Sequence, residues 1–225
     1  MTALVFGIDF ETTDTNTETC EIGEVGFAFY CHEQRLIFNE QSCLIRGSEL
    51  DLKISNIRWE SRLYHGLFLD DVVVAIQQAI SNVNYICAHN AEFEQALLRR
   101  LGVNTTDKIW IDTLYDLPPD DRRPNDLERS SLFHRVPNLR AHRALPDVVA
   151  MLEILNQYPF TEVHARAMSP TVTVVATVSY DSRHLAKECG FMWHPDAKQW
   201  AKKVKACDLM QLEASWPFKW SVLGE

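Results

Sequence analysis

The chain has 225 residues, 46% of them hydrophobic, and a formal net charge of −9 at pH 7. This is enough for one full domain plus a small second one, and the charges are too well mixed for a disordered chain. The acidic balance weighs against a protein that coats nucleic acid through a basic surface, but not against a nuclease, whose metal site needs clustered carboxylates. No apolar run approaches the ~20 residues of a membrane span. The N-terminal stretch lacks a basic region and meets Asp9, so no export signal is expected. The six cysteines form no CxxC pair and read as reduced thiols in a cytoplasmic protein. Cys189, His194 and Cys207 match no zinc-ligand spacing.

Residues 3–11 read as an apolar strand and 12–19, all Thr, Asp, Asn, Glu, as a loop. Residues 21–30 alternate and predict a second strand; a third is expected over 35–38, extending toward Ile45. Short connections make these an antiparallel meander. Asp70 and Asp71 then open a helix through Ile80. A short strand follows at 85–88, an amphipathic helix at 92–101 stopped by Gly102, a strand at 109–111, and a helix from Pro146 to Leu155. Strands followed by alternating strand and helix predict a mixed α/β domain over 1–158. Residues 159–171 carry Pro159 and Pro170, show little periodicity, and read as a linker. Beyond it, 172–225 predict a small α+β module near the lower size limit for independent folding. Its elements are a strand at 172–178, a helix at 182–189, a hairpin across 191–204, a helix at 206–214 and a strand at 218–223.

Three motifs bear on chemistry. In Ile8-Asp9-Phe10-Glu11-Thr12-Thr13, strand alternation puts both carboxylates on one face. Such a pair repels itself unless a cation such as Mg²⁺ or Mn²⁺ lies between; taken alone, the motif is usually just a solvated strand edge. In Ala88-His89-Asn90-Ala91-Glu92-Phe93-Glu94, Asn90 suits a helix cap and Glu94 the positive end of the helix dipole. The functional alternative makes Glu94 a third metal-facing carboxylate and Phe93 an apolar wall for a base or sugar. In His142-Arg143-Ala144-Leu145-Pro146-Asp147, the proline fixes a helix start, with Asp147 in the first turn and His142 in the preceding loop. His142 is either a surface histidine or a base able to accept a proton from water near neutral pH.

Taken in this order, the motifs resemble those of the DEDDh 3′→5′ exonucleases of the ribonuclease H-like superfamily. The wording of Ala88-His89-Asn90-Ala91 and His142-Arg143-Ala144-Leu145 is nearest exonuclease X and the epsilon proofreading subunit of DNA polymerase III. Tyr64-His65-Gly66 and Trp110-Ile111-Asp112-Thr113 add to the resemblance, which covers residues 3–157. It implies a ribonuclease H-like mixed sheet flanked by helices. It also implies two Mg²⁺, replaceable by Mn²⁺, held by Asp9, Glu11, Glu94 and Asp147, with His142 as general base. Thr12, Thr13, Asn90 and Phe93 fall at substrate-binding positions. The implied reaction is hydrolysis from a DNA 3′ end to 5′-mononucleotides, with single-stranded DNA or a DNA end as partner. The family usually carries Asp where this chain has Glu94, so the arm is one methylene longer. RNA as substrate, a non-catalytic nucleic-acid-binding protein and a polymerase-associated subunit are the alternatives.

The stretch from Lys187 to Lys203 resembles small modules appended to some phage and bacterial exonucleases and helicases, which suggests the cytoplasm of a bacterial or phage-infected cell. Residues 1–170 carry 15 Lys/Arg against 25 Asp/Glu, whereas 171–225 carry 7 against 6. Lys198, Lys202, Lys203 and Lys205 are candidates for following phosphates, and Trp193 or Trp200 for stacking bases. The competing reading makes Trp193, Trp200, Trp216 and Trp220 the core of a module with few other large residues.

Overall fold

The computed structural model describes residues 3–120 and 122–224; Met1, Thr2, Asp121 and Glu225, which the expected domain spans include, lie outside the described residues. The chain divides into two compact units, Met1–Ala167 and Met168–Glu225. Among the described residues, no helix is long and apolar enough to cross a membrane, and all six cysteines are free.

The first unit is built on a five-stranded sheet of β1 (Leu4–Thr12), β2 (Ile22–Cys31), β3 (Leu36–Leu44), β4 (Tyr85–Ala88) and β5 (Ile109–Asp112). Its order is β3-β2-β1-β4-β5. The first three strands form the antiparallel meander, and β4 and β5 run parallel to β1 and to each other. Helices α1 (Trp59–His65) and α2 (Leu69–Ser81) precede β4, α3 (Ala91–Arg100) links β4 to β5, and α4 (Leu127–Phe133), α5 (Ala144–Leu155) and α6 (Phe160–Ala167) follow β5.

Alternation along β1 divides the core between the two faces of the sheet. Phe6, Ile8 and Phe10 point to one side and join Val72, Ile76 and Ile80 of α2 and Leu97 and Leu98 of α3. Val5 points to the other and joins Val148, Met151, Leu152 and Leu155 of α5 with Phe160 and Val163 of α6. Asp9 and Glu11 share the parity of Val5 and therefore face α5. On β2 the matching positions are Glu24, Gly26 and Ala28, with Gly26 opposite Asp9 in register.

Three sequence expectations are corrected here. The linker over 159–171 contains helix α6, whose Phe160 and Val163 are buried; two prolines bracket this helix rather than break it. Helix α5 starts at Ala144, two residues before Pro146. The proline is tolerated at its third position because the first four N–H groups of a helix lack intrahelical acceptors anyway. In α2 the cap is Phe68, and Asp70 and Asp71 lie inside the first turn without capping it, where they meet the positive end of the dipole.

The second unit is a four-stranded sheet, β7-β8-β6-β9, from β6 (Thr171–Thr177), β7 (Met192–His194), β8 (Gln199–Lys205) and β9 (Lys219–Val222). It carries two short helices, α7 (Arg183–Glu188) and α8 (Leu209–Glu213). The expected helix over 206–214 is divided into a 3-10 turn, Ala206–Asp208, and α8. Val174, Ala176, Ala186, Phe191, Val204 and Trp216 form its core, with Trp200 and Trp220 packed partly against it. Trp193 instead leaves 48% of its surface exposed. The four lysines do not form one surface. Lys205 is 5% exposed, and the Lys202 Nζ donates to the Cys189 carbonyl at 2.9 Å.

The sheet and α5 meet most closely at Gly26. A Cβ built there would lie 2.3 Å from the Ala144 carbonyl carbon and the Leu145 nitrogen, both main-chain atoms. At Gly7 the nearest atom, at 2.9 Å, belongs to the movable Leu152 side chain. Gly26→Ala is therefore expected to lower stability by about 1–3 kcal/mol or more, and Gly7→Ala by less. Denaturant titration of the two variants measures the difference.

Candidate metal centre

Helix α3 begins three residues after β4, which runs parallel to β1. Its first turn consequently lies at the end of the sheet where β1 presents Asp9 and Glu11. From the α5 face, the close approach at Gly26 brings in Asp147, one turn into its helix. Asp9, Glu11 and Asp147 each offer a carboxylate oxygen, all within 4.8 Å of one another. This is the only such grouping of acidic, histidine or cysteine side chains among the described residues.

Each member is positioned by neighbours. Asp147 accepts from the Asn138 side-chain amide at 2.6 Å and from the His142 backbone N–H at 3.0 Å. Glu11 accepts from the Ser55 hydroxyl. Glu24, opposite Glu11 on β2 and fully buried, accepts two bonds from Arg143 at 2.8 and 2.7 Å. It also accepts one bond from Ser42 at 2.7 Å. Arg143 is the cap residue of α5, so this bidentate pair fastens the helix start to β2. Glu24, Ser55 and Asn138 were not singled out from the sequence, and Arg143 and Asp112 were quoted within motifs but given no role. For Glu24 a signal existed, since it shares the inward parity of Gly26 and Ala28.

Glu94 stands outside the group of three. It is 4% exposed, and its Oε2 has no hydrogen-bond partner. Among the charges that push Asp9 upward, Glu94 is the strongest, followed by Asp147, Glu11 and Glu24. Burial is the larger cause, and together they hold the Asp9 carboxyl well above the usual carboxylate range. Burial likewise raises Glu94 well above its ordinary value, and repulsion from Asp112 and Glu11 adds to it. Glu11 and Asp147 are also raised, by burial, which outweighs the Ser55 bond in one and the Asn138 and His142 bonds in the other. Burial pushes Glu24 up too, but the bonds from Arg143 and Ser42 prevail and its carboxyl is lowered. Four crowded carboxylates, one with an orphaned buried oxygen, fit a hard divalent cation with oxygen ligands.

The remaining expected positions are distributed around this centre. His142 has a left-handed backbone, φ 63°. Its imidazole is half exposed, with Nε2 3.9 Å from the Glu128 Oε2. Asn90 is also left-handed, φ 68°, and its side chain does not cap α3. That task falls to Asp112 at the end of β5, which accepts from the Asn90 and Ala91 N–H groups, both at 2.9 Å. Phe93 packs partly against the first core. The Thr13 N–H donates to the Glu21 carbonyl and its hydroxyl accepts from the Glu21 N–H, each at 3.0 Å. The Thr12 hydroxyl donates to the Asp14 carbonyl at 2.7 Å.

Comparison with known proteins places the fold. A family model described as a domain of unknown function, DUF8626, matches residues 172–215. No curated protein matches the chain significantly in sequence. Solved structures do match. Exonuclease I, in a structure concerned with its processivity, superposes with a TM-score of 0.62 at 13% identity, over 98% of this chain and 62% of that one. Exonuclease I from E. coli in complex with a dA16 oligonucleotide gives 0.61 at 14% identity, over 78% and 48%. The zinc-ion-bound form of the E. coli complex with single-stranded DNA gives 0.62 at 13%, also over 78% and 48%. This chain thus spans roughly half to under two-thirds of the exonuclease I chains it matches. The likeness establishes the fold: a ribonuclease H-like α/β sheet flanked by helices, with a second small sheet.

The raised carboxyls have a sign that can be tested. Each keeps its proton in the folded chain at pH values where the unfolded chain has lost it. The cluster's contribution to stability is therefore most favourable at low pH and declines as pH rises from the ordinary carboxylate range through the raised values. In EDTA at neutral pH, Asp9→Asn is expected to melt a few degrees above the parent chain, the gap closing toward pH 4. Mg²⁺ at about 100 times its Kd should stabilise the parent by ~2.7 kcal/mol and the variant by much less. Scanning calorimetry with and without Mg²⁺ reads both effects.

Proposed function

We propose that this chain is a metal-dependent 3′→5′ exonuclease that shortens DNA from its 3′ end and releases 5′-mononucleotides. The observation that supports it is the convergence of Asp9, Glu11 and Asp147 within 4.8 Å, beside the orphaned buried oxygen of Glu94. These four side chains would hold two Mg²⁺, with Mn²⁺ able to substitute. Such ions supply charge relief on the phosphoryl oxygens and a water more acidic than in bulk.

The protein's own groups do the rest. Asn138 and the His142 N–H fix the orientation of the Asp147 carboxylate, and Ser55 fixes that of Glu11. The left-handed turn at His142 returns its main chain to Asp147 while leaving the ring accessible. From that position the imidazole accepts the proton of the attacking water. The Thr12–Thr13 segment, Asn90 and Phe93 border the same end of the sheet and would receive the terminal nucleotide.

Single-stranded DNA and RNA labelled at either end, digested with Mg²⁺, Mn²⁺ or EDTA, test the reading. Metal-dependent laddering from the 3′ end of DNA is expected; laddering of RNA alone would reassign the polymer. His142→Ala should lose about 10²–10⁴ in rate yet keep its Mg²⁺-induced rise in melting temperature. Asp9→Ala should lose both, and a fully active Asp9→Ala protein would refute the assignment.

A further inference from the structure

The second unit has a cleft of about 360 Å³ lined by Asp181, Arg183, His184, Lys187 and Trp200. Three of these come from α7, Arg183 and His184 standing four and three positions before Lys187 and so each neighbouring it on the helix surface; Trp200 comes from β8. The volume lies within the ~300–1,000 Å³ range of ligand clefts. Two cations and a histidine outweigh the single carboxylate, in a chain whose net charge is −9.

The surrounding aromatics are more exposed than a core requires. Trp193 faces Trp200 across the β7–β8 hairpin, ring centroids 5.8 Å apart, with 48% of its surface in water. Tyr180, just before α7, is 78% exposed, and the Arg183 guanidinium lies over its ring at 3.7 Å. Stacked in this way, Arg183 loses little further freedom on meeting a planar or bidentate anionic group. Aromatic faces interleaved with cations are the surface that takes up an unpaired strand: a base has a π-face for every indole and a phosphate for every cation.

We propose that the α7–β8 cleft is a binding site for single-stranded nucleic acid, one base stacking against Trp200 and neighbouring phosphates meeting Arg183 and Lys187. The site does not use the carboxylate centre, and it moves the nucleic-acid contact away from Lys202 and Lys205, which the fold engages elsewhere. Because readout is by stacking and charge, it is tolerant of sequence and weakens with salt.

Fluorescence anisotropy of a fluorescein-labelled dT15 oligonucleotide with the full chain, in EDTA so that nothing is cut, tests this. The charge-reversed pair R183E/K187E, at two exposed positions of α7 outside the small core, should bind about tenfold more weakly. The slope of log affinity against log salt should become shallower by about 1.4 for two lost phosphate contacts. Trp200→Leu should weaken binding without changing that slope. R183E/K187E must retain the Mg²⁺-induced rise in melting temperature, which separates loss of this site from loss of the metal centre or fold. Unchanged affinity and slope in R183E/K187E would overturn the proposal. So would failure of the parent to bind dT15, or equal displacement of dT15 by polyglutamate, which would make the cleft a site for acidic chains in general.

Discussion

Helix α5 sits directly on the sheet, its first turn against the main chain of β2, and the candidate centre depends on that contact. A Cβ at Gly26 would meet helix backbone at 2.3 Å, so only glycine allows the approach. The ion pair of buried Glu24 with half-buried Arg143 fastens the same turn from two residues along the strand. An ion pair with a buried partner is weak evidence for net stability, but a bidentate one has strong directional requirements, and here it fixes where the helix begins. Asp147, one turn further on, inherits its position from both. Packing and electrostatics thus act on one joint: a missing side chain sets the distance, and a bidentate bond sets the rotation.

The joint assembles an unfavourable arrangement. Asp9, Glu11 and Asp147 repel one another at close range, and Glu94 adds a buried oxygen without a partner. The core on both faces of the sheet, from Phe6 and Ile8 on one side to Val148 and Leu152 on the other, is large enough to hold these groups together despite that repulsion. The strain is concentrated where a cation would relieve it, as is usual for functional sites rather than for structural ones. The topology contributes as well. Strand β1 is central, with β2 to one side and β4 to the other, so side chains from β1, α3 and α5 meet at one end of the sheet, where open α/β sheets commonly form ligand crevices.

The second unit follows a different logic. Its core is small and aromatic, with Phe191, Trp216 and Phe218 in mutual ring contact. A module of this size buries a smaller share of its surface than a larger domain, so much of it stays exposed whatever the core contains. Trp193 and Tyr180 nonetheless remain exposed, and the single-strand site proposed for the α7–β8 cleft draws on that exposure.

The sequence by itself determined the elements whose pattern is local. Alternation identified β1 and β2, helical spacing found α2, α3 and most of α5, and parity put Asp9 and Glu11 on one face. The order of the three motifs was enough to single out four carboxylates and His142. Other features are products of tertiary context. Helix α1 is anchored by Arg62, fully buried with its guanidinium on the Ile45 and Leu50 carbonyls and on Glu21; read alone, an arginine marks a surface. Helix α6 lay hidden between two prolines because its buried side is only Phe160, Val163 and Arg166. The cap of α3 comes from Asp112, 21 residues beyond Ala91, and no local spacing encodes such a bond. What engages the lysines of the β8 strand was likewise decided by packing, since alternation assigns faces but not what covers them. Periodicity fixes where a side chain points within its element, whereas the docking of elements fixes what it meets.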